Sequence, residues 1–338
     1  MLDELSKGKF PYIRLRRNRK SQFIRDLVQE NRLTAKDLVY PVFILDGVNR
    51  EESIKNMPDQ LRLSIDKLMY IAEKCINLNI PAIALFPYIE SKKDESASES
   101  YNKEGLMAKA IRAVKSRFPE LGVFTDIALD PYTIHGQDGI IDDRGYVLND
   151  VTNSILVKQA LCYAEAGADF VCPSDMMDGR IGVIRKSLED NGFVNTGIMA
   201  YAVKYASNFY NPFREAVGSA TYLGKSDKFN YQMNSANSDE AIHEVKLDID
   251  EGADIVMIKP ALTYLDVVYR IKNVFNFPVS VYHVSGEYAM LKLASNGGII
   301  DYEKTLMELM LCFKRSGADI IWSYAAIDVA EILKKLGV

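Results

Sequence analysis

Short apolar runs alternate with amphipathic stretches along most of this chain, and eight of the runs read as buried strands. They span 38–45, 80–86, 122–129, 170–173, 197–202, 255–258, 279–284 and 320–324. Between them, apolar positions recur at helical spacing over 64–78, 104–118, 152–166, 181–188, 240–251, 264–274 and 302–316. Ser64 suits the N-cap of the first of these, since its hydroxyl can accept an orphan backbone N–H. Helix, tight turn and buried strand in repetition predict a parallel sheet. Eight such units favour an α/β fold of the closed (β/α)8, or TIM, type over an open doubly wound sheet.

One tripeptide punctuates the pattern three times. Gly167-Ala168-Asp169, Gly252-Ala253-Asp254 and Gly317-Ala318-Asp319 each follow a helical stretch and open an apolar run. The glycine reads as a helix C-cap in the left-handed conformation. The three runs end at different polar residues: Ser174 with Asp175, Lys259, and Ser323 with Tyr324. In a closed barrel Asp175, Lys259 and Tyr324 then emerge at the C-terminal rim, the end where such barrels carry their chemistry.

Two regions break the repeat. Residues 1–33 precede the first strand and form an arm containing Arg14, Arg16, Arg17, Arg19 and Lys20; residues 34–338 form the barrel. Residues 205–238 lack a sustained apolar period, and a loop of that length in a compact barrel reads as a lid. It carries Arg214, Lys225, Lys228 and Gln232, a set suited to an anionic ligand.

Composition narrows the function classes. The chain has 338 residues, 48% of them hydrophobic, enough for a full core, and its net charge is −5. That acidity, with no aromatic platform beside the arm, disfavours nucleic acid and leaves the arm to pack on an acidic neighbouring subunit. No apolar run is long enough to span a membrane, and the first residues do not read as a leader. Cys75, Cys162, Cys172 and Cys312 are scattered through apolar runs, as expected of reduced core thiols in the cytoplasm. No Gly-x-Gly-x-x-Gly follows the first strand and no Walker motif is present, which weakens nucleotide-binding readings.

Candidate chemistry centres on two lysines. Lys259 ends one strand and Lys204 follows the apolar run 197–203 of the strand before it. Neighbouring strand ends bring the two amines into one barrel mouth, where burial and mutual repulsion both favour the uncharged form. An uncharged amine attacks carbonyl carbon, so Schiff-base chemistry is the expectation. Around them, Ser285 and Gly286 open a helix after the seventh strand as an anion-receptive corner, and Tyr324 can donate to the same group. Asp126, Asp130, His135 and Asp138 follow the third strand at a spacing able to hold a hard cation, although such turns are commonly local caps. His243 and His283 read as packing residues.

Taken together, the segments Arg16–Arg19, Tyr40–Phe43, Leu129–Thr133, His135–Gly139, Pro173–Arg180, Lys204–Ser207, Pro212–Arg214, Tyr231-Gln232, Tyr264–Asp266 and Ser285–Met290 make the chain resemble the porphobilinogen synthase family, also called 5-aminolevulinate dehydratase. The resemblance covers nearly the whole chain. It implies condensation of two 5-aminolevulinate molecules into porphobilinogen with loss of two waters, in tetrapyrrole (heme) synthesis. The family's Schiff-base lysines fall on Lys204 and Lys259, with Lys259 holding the propionate-side substrate and Lys204 the acetate-side one. Ser285 and Tyr324 match residues binding the first carboxylate; Arg214, Lys228 and Gln232 match those gripping the second. Asp126, Asp130 and Ser174 are carried over as further substrate-binding residues.

For metals the resemblance implies the zinc-independent subclass. Zinc-dependent members place three cysteines where this chain has Ala128, Asp130 and Asp138, and carboxylates without thiolate point to magnesium or a monovalent cation. An allosteric magnesium is expected beside Glu244, and an active-site cation at Asp130 and Asp138 is the weaker expectation. The arm is expected to wrap a neighbouring subunit in a homo-octamer, with Arg16 and Arg180 at that interface. Asn211, Ala261, His283 and Asn234-Ser235 depart from the family pattern around the lid and rim. Two other readings stand beside this one: a Schiff-base barrel lyase of the class I aldolase type, and a non-catalytic barrel whose arm and lid serve assembly. The aldolase type would need Gly-rich phosphate loops after the last two strands, and Gly297-Gly298 lies too late to supply one.

Overall fold

The computed structural model describes residues 8–219 and 227–337, which leaves Lys225 outside the described residues. Two compact units divide the chain, one ending at Leu33 and one beginning at Thr34. The first contains a 3-10 turn (Leu15–Arg19) and helix α1 (Gln22–Leu27). It exposes Phe10, Tyr12, Leu15, Phe23 and Leu27, and Arg14 lies over the Phe10 ring.

In the second unit every predicted run forms a strand, with ends displaced by no more than two residues. In chain order the strands are β1 (Leu38–Leu45), an unpredicted antiparallel hairpin of β2 (Glu51–Ser53) and β3 (Leu61–Leu63), β4 (Ala82–Tyr88), β5 (Gly122–Ile127), β6 (Phe170–Pro173), β7 (Gly197–Lys204), β8 (Ile255–Lys259), β9 (Val279–His283) and β10 (Ile320–Ser323). The parallel order is β1-β4-β5-β6-β7-β8-β9-β10, and β10 pairs back to β1, so the barrel closes. Around it run α2 (Ile65–Asn77), α3 (Leu106–Arg117), α4 (Asn149–Ala166), α5 (Arg180–Asp190), α6 (Asn211–Ala216), α7 (Glu240–Asp250), α8 (Leu265–Phe275), α9 (Ser285–Asn296), α10 (Tyr302–Ser316) and α11 (Ala326–Leu336). The interior is packed with aromatic rings. Trp322 lies 5.5 Å from Tyr282, 5.6 Å from Phe124 and 6.1 Å from Tyr201, centroid to centroid. No described helix is long and apolar enough to cross a membrane.

The Gly-Ala-Asp triplets form one device used three times at the N-terminal rim. Gly167, Gly252 and Gly317 have φ of +105°, +104° and +109°, as the expected C-cap requires. The following alanine N–H closes the helix end onto Tyr163, Asp248 or Phe313 carbonyl. Each aspartate then joins its strand to the one before it. Asp169, Asp254 and Asp319 accept the N–H of Val123, Ile198 and Val279, each at 2.8 Å. Their own N–H groups return to the same residues' carbonyls at 2.8–3.0 Å. A cation from the helix leading into the earlier strand completes each clamp: Lys115 at 2.9 Å, Arg185 at 2.5 Å and Lys272 at 2.6 Å. The cation's aliphatic stem crosses over the glycine, where a Cβ on Gly317 would stand 2.7 Å from Lys272 Cγ. The triplets therefore fix register at the end of the barrel remote from Lys259.

Candidate active site

β7 and β8 begin in register, Met199 beside Ile255 and Ala200 beside Val256, and then slip by one residue. Beyond the slip Val203 pairs with Ile258 and Lys204 with Lys259. Uninterrupted pairing would have set Val203 beside Lys259 and Lys204 beside Pro260. Successive strand side chains alternate faces, so the extra residue in β7 is what turns Lys204 to the inner side with Lys259. Both lysines are 5% exposed.

Their surroundings differ. Lys259 Nζ sits among four rings, 4.5 Å from Tyr282, 4.9 Å from Phe213, 5.1 Å from Tyr201 and 5.2 Å from Tyr210. Burial, and then the Lys204 ammonium, push its pKa down to about 7 against the pull of Asp126, Asp130 and Asp138. Lys204 instead donates to the Ser174 carbonyl and lies 3.7 Å from Asp138 Oδ1. The two amines thus differ in their neighbours: rings enclose Lys259, and Lys204 meets a carboxylate.

Three acids line the opposite wall. Burial raises Asp126 to about 7, opposed by Lys259 and by the Ser174 hydroxyl. Its Oδ1 has no hydrogen-bond partner. Asp130 is raised by burial and by Asp138, against Lys228. Burial works to raise Asp138 too, but the ammonium groups of Lys204 and Lys228 hold it well below the usual carboxylate range. Lys228 Nζ is 3.0 Å from Asp138 Oδ2 and 3.8 Å from Asp130 Oδ2, and Gln232 Nε2 donates to Asp138 at 3.3 Å. Two ammonium groups already neutralise these acids, and a hard cation at Asp130 and Asp138 would be repelled by both. The pair does not fit that expected cation site.

Asp126, Asp130, Asp138, Ser174, Lys204, Lys259, Arg214, Lys228 and Gln232 all line one cavity of about 20 Å³, together with Tyr210 and Phe213. That is room for roughly one water. Admitting a larger molecule requires the lining side chains to move. Ser285 and Tyr324 lie just behind the wall. Ser285 Oγ accepts the Phe213 N–H at 3.0 Å and donates to the Phe209 carbonyl at 3.3 Å. Tyr324 shares a 2.8 Å hydroxyl contact with Tyr282, whose ring faces Lys259.

Other predicted residues fall elsewhere. Asp175 is fully buried, accepts the Met177 N–H and lies 3.7 Å from Arg180, so it does not open onto the rim. Arg180 is 2% exposed and forked onto Asp248 at 3.2 Å, committed inside the subunit rather than to an interface. Glu244, on α7, borders a separate cavity of about 260 Å³ with Asp178 and Glu240. Burial, with the charges of Asp248 and Asp178, raises it to about 7 against the pull of Arg180. Among the described residues no group of three or more His, Cys, Asp or Glu is arranged to hold a metal. His135 is half-buried, and His243 is exposed. His283 packs on Phe313 and bonds Ser323 at 3.0 Å.

The sequence reading passed over two features. One is the ring set around Lys259, contributed by β7, β9, α6 and the turn just before α6, and without a local signature. The other is Glu287, buried in α9, which accepts the N–H of Leu262 at 2.8 Å and of Val284 at 2.9 Å. It ties the exits of β8 and β9 together; an acid four residues past the end of β9 was the available sign.

Comparison with known proteins converges on one family. Residues 12–332 match the family described as Delta-aminolevulinic acid dehydratase. A delta-aminolevulinic acid dehydratase from Bradyrhizobium diazoefficiens is 53% identical over 326 residues, covering 96% of this chain and 92% of that protein. One from Methanothermus sociabilis is 47% identical over 323 residues, covering 96% of this chain and 99% of its own length. The solved structure of the Toxoplasma gondii ME49 enzyme, in complex with the reaction product porphobilinogen, superposes with a TM-score of 0.94 at 45% identity, covering 96% of this chain and 92% of that one.

Proposed function

The chain belongs to the delta-aminolevulinic acid dehydratase family, and we propose that it is a hydro-lyase condensing two molecules of 5-aminolevulinate to porphobilinogen in tetrapyrrole (heme) biosynthesis. The observation carrying this is the register of Lys204 beside Lys259 at one cavity, with Lys259 poised near neutrality. Lys259 adds to one substrate ketone and Lys204 to the other, and each Schiff base releases one water. The amino group of one substrate displaces a lysine from the other's imine carbon, forming the C–N bond. Carbon–carbon bond formation displaces the second lysine. Loss of ring protons then gives the pyrrole, so the net leaving groups are two waters and both amines are restored. Asp126 stands where a proton near Lys259 can be exchanged at neutral pH. Arg214, Lys228 and Gln232 grip one carboxylate. Ser285 and Tyr324 receive the other once the Phe213 N–H yields Ser285.

Magnesium, the homo-octamer and the cytoplasmic setting belong to the same proposal. Glu244 has the chemistry for a hard cation: a half-buried carboxylate beside other acids, at a cavity with space for waters. Magnesium there would act allosterically, and a monovalent cation is the alternative cofactor. Ala128, Asp130 and Asp138 offer zinc no thiolate. The arm's exposed aromatic and aliphatic side chains suit burial against a second copy.

Borohydride reduction in the presence of 5-aminolevulinate is expected to label Lys259 or Lys204 covalently. Unlabelled lysines would remove the mechanism. Chelation followed by separate return of zinc, magnesium and potassium is expected to show no dependence on zinc; recovery by zinc alone would overturn the metal assignment.

A further inference from the structure

We infer that Arg62 is a positioning residue that holds α6, and with it Phe213 and Arg214, in the binding arrangement. This inference rests on the condensation reading above. Arg62 lies on β3, which continues the sheet beside β1, with Phe43 opposite Arg62 and Ile44 opposite Leu63. A rigid strand therefore presents its side chain. The guanidinium reaches the C-terminal end of α6, where Nε donates to the Ala216 carbonyl and Nη2 to the Glu215 carbonyl, each at 2.7 Å. Those carbonyls end the last helical turn, at its negative pole, and that of Glu215 also accepts the Gly218 N–H at 3.1 Å. The planar fork is itself fixed, stacked 4.0 Å over the Tyr88 ring and 3.7 Å from Glu52, with its side chain only 12% exposed.

The chain just beyond α6 is seated on the same ring. Gly218 has φ +71°, and a Cβ there would stand 2.8 Å from Tyr88 Cε2, while Lys93 Nζ donates to the Gly218 carbonyl at 3.1 Å. At its other end α6 is held by Ser285 through the Phe213 N–H. Ser285 is also expected to receive a substrate carboxylate, so that tether is given up when substrate binds. The Arg62 contact is not, and it remains as the fixed point about which α6 keeps its place. Phe213 caps Lys259 at 4.9 Å and Arg214 lines the cavity.

A ligand that binds only the seated arrangement has its apparent affinity reduced by the fraction of molecules in which α6 is seated. Saturating substrate restores seating. Arg62→Met is therefore expected to raise KM for 5-aminolevulinate about tenfold while kcat stays within about twofold. It should also speed proteolytic cleavage within 208–219, without moving the main unfolding transition. Arg62→Lys, able to reach one carbonyl but not to fork or stack, is expected to fall between. A lowered kcat at unchanged KM, or no change in either constant, would show Arg62 to be an ordinary packing residue. The cleavage rate reads seating without turnover. Should wild-type protein form no Schiff base, the condensation reading fails, and a protected 208–219 segment exposed by Arg62→Met would still establish the latch.

Discussion

The two rims of this barrel use similar residues to opposite ends. At the N-terminal rim, aspartates pair with Lys115, Arg185 and Lys272 in three copies of one arrangement, the carboxylates being 40–50% exposed. Each carboxylate accepts a backbone N–H and meets a single cation, so every group is satisfied locally and the clamps share no partner. At the C-terminal rim, Asp126, Asp130, Asp138, Lys204, Lys228 and Lys259 are all buried around one cavity, and Asp138 meets two cations at once. Solvent screens the first set, leaving it a modest part in stability. Its exclusion from the second raises Asp126 and lowers Lys259, each to about 7, while neighbouring ammonium groups hold Asp138 below the usual carboxylate range. Repetition with local satisfaction marks scaffold; singular, shared and desolvated charge marks chemistry.

That contrast predicts additive behaviour at one rim and non-additive behaviour at the other. Lys259→Met is expected to lower kcat by on the order of 10⁴-fold or more, and the Lys204→Met, Lys259→Met double variant to fall no further than the worse single change, because the pair acts as a unit. Product-formation rates that multiply across the two substitutions would contradict shared chemistry. Next in size is the pH response. Lys259 must lose its proton to attack, so kcat/KM should rise with pH through about 7. Asp126 supports the charged amine, so Asp126→Asn is expected to move that limb to lower pH; a shift to higher pH would reverse the assigned electrostatics. The smallest effects belong to the clamps. Asp254→Ala and Asp319→Ala should each cost about 1–2 kcal/mol of stability through one lost backbone acceptor and one screened ion pair. Their double variant should show the sum within about 0.5 kcal/mol, with kcat unaltered. A coupled loss in denaturant titrations would mean that the clamps are not independent.

The same contrast governs what could be read from the chain. Apolar runs bounded by Gly-Ala-Asp gave strand positions to within two residues, because a buried parallel strand and a glycine-capped helix are both local in sequence. The hairpin at 51–63 was missed because three-residue strands carry no usable period. The slip in β7 was invisible for a related reason: Gly197–Val203 is apolar on both faces, so no alternation exists from which a break could be seen. Lys204 and Lys259 were legible as strand-end lysines, but their unlike surroundings were not. Those depend on Asp138 and Phe213, which reach the cavity from segments far away in sequence. Nor could the chain alone reveal that Ser285 is engaged by the Phe213 N–H.

The slip between Ala200 and Val203 also constrains how this site can be altered. Exchanging one side chain for another leaves Lys204 aimed inward. Pairing the intact strand without its slip would turn everything after Ala200 to the opposite face, presenting Val203 beside Lys259 where an amine now stands. Protein engineers comparing or grafting this strand should treat its slip as part of the catalytic specification, since regular pairing would preserve every letter and lose the reaction.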